Sequence, residues 1–363
     1  MCVCVYKYES GDTLTEQFSL PLHLSLLMQM ISLLIINIQK NSALHFYDQR
    51  LILSTTTMNI SEEQIHGVYG SDSRQENIIF ATFYILVFVI AVPGNALALW
   101  AFFRQDSTSP SKVFLRHLSV ADISYILILP MRIVYHLCDS HWPFGHVPCQ
   151  LAGFLFYLNM YCSLYLMSFI SLDRFLAVVL PIKSQSVRKA VYAKVVVGIL
   201  WVTVIVSMSP ILFSKKNMTH NSTGICNKLY LEKTSPTALI STIVAFAIPL
   251  TTIVVSYIVI LLKLRSLKQQ EERPVKDKAI RMIILIVMNF LFAFVPYHVS
   301  RVIYIQSHSH SMTAATHEAL GRANRITSAL TCVSGVLDPV MYFFLNRAYR
   351  DMLLQLFCKK RGR

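Results

Sequence analysis

Charge is what this sequence has least of. Only 14% of its 363 residues are Asp, Glu, Lys or Arg, whereas a soluble chain of this kind carries about 25%. Hydrophobic types make up 54%, so lipid rather than water is the expected solvent. Acidic residues are scarcest, 19 against 33 basic ones, for a formal net charge of +14. Chemical motifs are missing as well. The chain has no Cys/His spacing of the metal-binding kind, no nucleophile elbow and no phosphate-cradling glycine loop. These absences argue against an enzyme. No inverted repeat or pair of broken helices is visible either, which weakens the case for an anion transporter or channel.

Long apolar runs are what the chain does contain. A hydrocarbon core about 30 Å thick needs about 20 apolar residues per helix. Seven such runs are read: Ile78–Phe103, Val113–Leu137, Val147–Val179, Ala193–Phe213, Thr237–Leu262, Ala279–Ile305 and Ala319–Leu345. They predict an all-α bundle of seven transmembrane helices over residues 78–345. Basic residues gather at alternate connections: Lys183, Arg188 and Lys189; Lys263, Arg265 and Lys268; Lys276, Lys278 and Arg281; Lys359, Lys360 and Arg361. The positive-inside rule makes that side cytoplasmic, with the N-terminus outside and the C-terminus inside. A nucleic-acid surface is not expected, because spanning runs separate the basic clusters. Glycosylation sequons at Asn59, Asn217 and Asn221 all fall on the predicted outer side. Cys149 and Cys226 also lie there and suit a disulfide. Cys138 lies at the same face, so spacing alone leaves the pairing open.

Residues 1–77 form an outer segment. Within it, Leu20–Ile38 is apolar enough to pass for a signal-like core or a further span. Met58 directly precedes the sequon at Asn59, so residues 1–57 are read as an extension from an upstream start, outside the fold. Residues 346–363 follow the last span. Tyr349, Met352, Leu353, Leu356 and Phe357 recur there at helical spacing, which predicts an amphipathic helix on the inner leaflet. Cys358 is a palmitoylation candidate.

Polar residues inside the spans are costly, about 2.5–3.5 kcal/mol for a charge at a helix centre, and they usually face the bundle interior. They sort by depth. Asp173 and Arg174 lie near the inner end of the third run. Asp122, Asn159, Ser163 and Asp338 lie mid-membrane. Arg132, His298, Arg301 and Arg325 lie toward the outside. His298 and Arg301 are three apart, and Tyr297 and Arg301 four apart, so each pair neighbours on one helix face. Pro296 removes a backbone hydrogen bond and kinks the sixth helix. No carboxylate is near Arg132, Arg301 or Arg325 in sequence at that level. Three guanidinium groups around one cavity, largely unpaired, would take an anion, since arginine grips phosphate and carboxylate through two parallel hydrogen bonds.

Taken together these features resemble the rhodopsin-like G-protein-coupled receptors, in their nucleotide and lipid-mediator branch. The marks are Gly94-Asn95, Leu118 to Asp122, Trp142, Phe144-Gly145, Cys149, Asp173-Arg174-Phe175, Trp201, Pro249, Tyr257, Pro296 and Asp338-Pro339-Val340-Met341-Tyr342. The likeness covers about residues 75–358. Three departures stand out: Phe175 replaces the usual Tyr, Asp338 the usual Asn, and Phe294 the usual Trp. The second outer cysteine pair found in this branch is also missing.

The resemblance implies several roles. Arg132, Tyr157, Tyr297, His298, Arg301 and Arg325 would meet an anionic small molecule, a uracil nucleotide or nucleotide sugar or a cysteinyl leukotriene. Asp122, Asn159, Ser163 and Asp338 would hold an allosteric sodium ion, for which oxygen ligands are suited. Arg174, held by Asp173 at rest, would be released to a heterotrimeric G protein, of the inhibitory class by branch, with Tyr257 and Tyr342 rearranging alongside. Cys149 and Cys226 would be bonded. The setting is the plasma membrane, with anionic lipid against the basic inner face.

Overall fold

The computed structural model describes residues 74–104, 109–213, 226, 228–230, 236–266, 273–308, 313–345 and 347–358. The expectations for residues 1–57 and for Asn59, Asn217 and Asn221 lie outside them, as does the side chain of Cys358. Among the described residues, seven helices are long and apolar enough to cross a membrane: α1 Arg74–Phe103, α2 Pro110–Leu137, α3 His146–Val179, α4 Ala190–Phe213, α5 Thr237–Arg265, α6 Ile280–Ser307 and α7 Ala314–Leu345. A short helix, α8 (Arg347–Cys358), follows. Several spans start a few residues before their apolar runs. Apolar content reports only the hydrocarbon layer, whereas helical hydrogen bonding continues into the headgroup region.

α3 is the hub and α4 the outlier. Within the most apolar stretch, 56% of α3 is buried against 17% of α4. The remaining faces present large side chains to lipid, among them Ile79, Val89, Val202 and Phe292. Lipid tails are as apolar as leucine, so the helices associate through close packing and hydrogen bonds rather than by escape from water. Gly94 shows this. A Cβ built there would lie 2.7 Å from the Pro339 ring, so only glycine lets α1 and α7 approach this closely.

Three spans are irregular at mid-depth, two of them immediately before a proline. α2 breaks at Leu127 and Ile128 and restarts as Leu129–Leu137, with Pro130 in its first turn. α6 passes through a π turn, Phe290–Phe294, immediately before Pro296. α7 tightens into a 3-10 turn, Thr331–Val333, ahead of Pro339. Each irregularity re-aims the helical segment that follows it. Arg132 lies on the re-aimed segment of α2, and His298 and Arg301 on that of α6.

Cys149 and Cys226 form a disulfide with Cα atoms 5.7 Å apart, and Cys138 is free. The bond resolves the pairing that spacing left open. It ties the segment before α5 to the start of α3, and this end of the bundle is termed the disulfide end below. Gly153 lets that segment settle, since a Cβ there would meet the Lys228 carbonyl at 2.8 Å. At the opposite end α8 packs back on the bundle through Tyr349, Met352 and Leu353. That placement fits the amphipathic pattern read from the sequence. The Tyr349 hydroxyl donates to the Gly94 carbonyl at 3.3 Å.

Candidate functional site

Polar side chains collect in three layers along the bundle. The layer at the disulfide end centres on Arg132, which is wholly buried. Its Nη1 donates to the Tyr84 hydroxyl and its Nη2 to the Leu229 carbonyl, both at 3.0 Å. Nε is buried with no hydrogen-bond partner. The guanidinium carbon lies 4.8 Å from the centre of the Phe156 ring and 5.2 to 5.8 Å from those of Tyr230, Tyr125 and Tyr84. Ring faces attract a cation, by about 2 kcal/mol or more once water is excluded. Among the described residues, Arg132 forms no ion pair. It is a buried positive charge held by rings and dipoles alone.

Tyr230 belongs to the disulfide-tethered segment and closes over this arginine. Its hydroxyl lies 2.8 Å from His136 Nε2, while His136 Nδ1 lies 2.8 Å from Asn77 Oδ1. Asn324 of α7 donates to the Tyr230 carbonyl at 3.1 Å. Beside this group, the Tyr157 and Tyr297 hydroxyls are 3.0 Å apart, and the edge of Tyr297 meets Phe156. His298 Nδ1 lies 2.8 Å from the Phe294 carbonyl, and the ring stacks on Phe246 at 4.2 Å. Its Nε2 is buried without a hydrogen-bond partner. Arg301 is buried one turn further on, over the Tyr304 ring.

Two expectations need correction here. The arginines do not stand around an open cavity: Arg132, Arg301, His298, Tyr297 and Tyr157 are all buried, and the segment around Tyr230 folds onto Arg132. Arg325 also has an acid beside it. Glu76 of α1 reaches Arg325 at 3.6 Å and Arg322 at 3.5 Å. Glu76 is remote in sequence, so only the packing of α1 against α7 reveals the pair. Tyr84, Tyr125, Phe156 and Tyr230 were missed altogether. His136 could have been found, since it lies four residues past Arg132 on the same helix face.

The middle layer brings together the four residues expected there. Asn159 Nδ2 donates to Asp122 Oδ1 at 3.3 Å and to Ser163 Oγ at 3.4 Å. Asn289 donates to Asp338 Oδ1 at 2.6 Å, and Asp338 Oδ2 is buried with no hydrogen-bond partner. Asp122, Asn159, Ser334 and Gly335 border a gap beside them that is too narrow for a water molecule in this arrangement. Oxygen donors, two acids and an orphaned carboxylate oxygen are a set that fits a hard monovalent cation. Tyr342 was expected with the inner arginine. Its hydroxyl donates to Asp122 Oδ2 at 3.1 Å, which ties α7 to α2 in this arrangement.

The layer nearest α8 holds Asp173 and Arg174. Arg174 Nη2 is 3.4 Å from Asp173 Oδ2, and Ser111 bonds to both side chains. A further clamp was not foreseen: Arg188, from the connection before α4, donates through Nε to Asp173 Oδ1 at 2.9 Å. Tyr257 approaches from α5 and shares a 2.7 Å hydrogen bond with Ser171.

Comparison with known proteins assigns the frame in which these layers belong. Residues 94–342 match the family described as "7 transmembrane receptor (rhodopsin family)". The chain belongs to that receptor family. It is 49% identical over 296 residues to the uracil nucleotide/cysteinyl leukotriene receptor of Homo sapiens, covering 80% of each chain. It is 33% identical to a purinoceptor of Homo sapiens, across 71% of this chain and 72% of that one. Against the Mus musculus cysteinyl leukotriene receptor 1 it is 29% identical, across 82% and 87%. The seven spans and the disulfide are thus those of a rhodopsin-family receptor, a multi-pass membrane protein.

Proposed function

We propose that this receptor answers an extracellular anionic small molecule and couples to a heterotrimeric G protein of the inhibitory class. It does so at the plasma membrane, with the disulfide end outside and α8 inside. The ligand class is a uracil nucleotide, a nucleotide sugar or a cysteinyl leukotriene, in keeping with the names of its relatives. One observation carries the reading. Arg132 is a fully buried guanidinium with aromatic neighbours, no ion pair among the described residues and an unpartnered Nε. Burying a charge without an opposite one is expensive, and an anion entering beside Arg132 would offset that cost. Arg301, His298, Tyr157 and Tyr297, buried on α3 and α6, would join in holding it once the layer opens. No bond is made or broken; the anion favours a bundle arrangement that releases Arg174 toward the G protein.

Signalling without ligand is a second reading, favoured by the Leu229 carbonyl. It already occupies one guanidinium donor from inside the molecule, so the chain's own segment partly stands in for an anion. In the middle layer, Asp122, Asp338, Asn159 and Ser163 would hold a sodium ion whose binding favours the resting arrangement.

The test is a cAMP assay in cells expressing the chain from Met58, with and without uracil nucleotides and cysteinyl leukotrienes. A fall in stimulated cAMP with one ligand class supports the receptor reading, and Arg301→Ala should lose that potency. Unchanged potency in Arg301→Ala removes Arg301 from the site. Ion flux in proteoliposomes without any G-protein response would favour the transporter instead.

A further inference from the structure

At the disulfide end, the close of α6 and the opening of α7 bring two imidazoles together. His308 directly follows Ser307, the last residue of α6, and His317 lies in the first turn of α7. Their ring centroids are 5.0 Å apart, with the planes at 65°. His308 Nδ1 lies 2.9 Å from the Tyr304 carbonyl. A carbonyl oxygen only accepts, so Nδ1 carries the proton and donates it. The lone pair of the neutral ring is then on Nε2. One ring nitrogen tied to a backbone carbonyl and the other left for a ligand is how metal-bound histidines are usually held. The Tyr304 ring, 4.7 Å away, restricts the swing of the His308 ring. His308 is exposed and His317 half-buried, so ions in the medium reach both.

The geometry points to a two-imidazole site for a borderline divalent transition ion such as zinc, joining the end of α6 to the start of α7. Imidazole suits zinc, copper and nickel, whereas magnesium and calcium prefer oxygen. Zinc–nitrogen bonds of about 2.0–2.1 Å in tetrahedral geometry place two ligating nitrogens roughly 3.3 Å apart. Ring centres 5.0 Å apart are compatible with that spacing if the His317 ring turns toward the tethered His308. Water completes the coordination. An ion bound to both ends favours the arrangement that keeps them adjacent. The inference does not depend on which anion the receptor answers.

The full chain, purified into lipid nanodiscs, tests it by thermal unfolding during titration with ZnCl2. The midpoint should rise saturably, with half the effect below about 1 mM, the −4.1 kcal/mol threshold of weak binding, and MgCl2 should leave it unmoved. His308→Asn and His317→Asn should each shift the half-effect concentration at least tenfold, and the double variant should lose little beyond the weaker single one. His317→Cys, which keeps a zinc ligand, should retain the response. A full-sized rise in either asparagine variant or in the double overturns the shared site. So does a flat titration of the folded wild-type receptor.

Discussion

Replacing Arg132 with methionine separates a structural role for the buried guanidinium from an anion-gripping one. The substitution removes two hydrogen bonds of 3.0 Å, to Tyr84 and to Leu229. Hydrogen bonds to a charged group contribute about 1.5–3 kcal/mol each. It also removes the attraction of the rings for the cation, about 2 kcal/mol, and with it a fully buried charge whose desolvation costs several kcal/mol. Methionine fills much of the same volume among the rings of Phe156, Tyr84, Tyr125 and Tyr230. The two changes nearly cancel, so stability should move by no more than about 2 kcal/mol in either direction. Ligand response should behave differently. Taking away the partner of a buried anion costs about 3–5 kcal/mol, and about 1.4 kcal/mol is tenfold. Agonist potency should therefore fall by two to three orders of magnitude or more while surface expression holds. The assay is cAMP inhibition against ligand concentration, alongside thermal unfolding of the purified receptor. Potency within threefold of wild type, in a variant that folds and reaches the surface, would refute the role given to Arg132. Arg132→Lys is the companion variant. It keeps the charge but loses the two-pronged grip, so its potency should fall between the two.

Gly94→Ala should destabilise the receptor by about 1–3 kcal/mol, the usual cost of overpacking, because the new methyl would meet Pro339; thermal unfolding measures it, and an unchanged midpoint would contradict the close approach. Arg188→Ala removes one clamp from Asp173, loosening its hold on Arg174, so basal nucleotide exchange on an added G protein should rise; unchanged or lower exchange counts against that clamp. Asp122→Asn should abolish any weakening of agonist binding by sodium, read by titrating NaCl against potassium at constant ionic strength. Persistence of a full sodium effect would place the ion elsewhere.

Much of the fold was legible from the sequence because lipid imposes a simple code. Apolar runs of spanning length, proline at 130, 296 and 339, and basic clusters in alternate connections are all one-dimensional signals. The polar residues were legible for the same reason: Arg132, Arg301, Asp122 and Asp338 stand out against apolar neighbours. Their partners were not. Glu76 meets Arg325 only through the rotation of α1 about its axis, and hydropathy does not fix that rotation. Tyr230 closes over Arg132 because Cys226 is bonded to Cys149, and nothing in the loop's composition announces it. Tyr342 bonds to Asp122 across α7 and α2, a pairing between distant spans that a helical wheel cannot show. Arg188 could be counted as one of the basic residues beside a span, but its reach to Asp173 needed the connection's path.

The junction around Gly94 also links events that are usually treated apart. Its missing side chain admits Pro339 from the seventh span, while its carbonyl anchors Tyr349 at the root of the short terminal helix. A swing of the lower seventh span must therefore tug on that root. Movement of the seventh span and movement of the terminal helix are coupled at one glycine, so a change at either should be felt at the other.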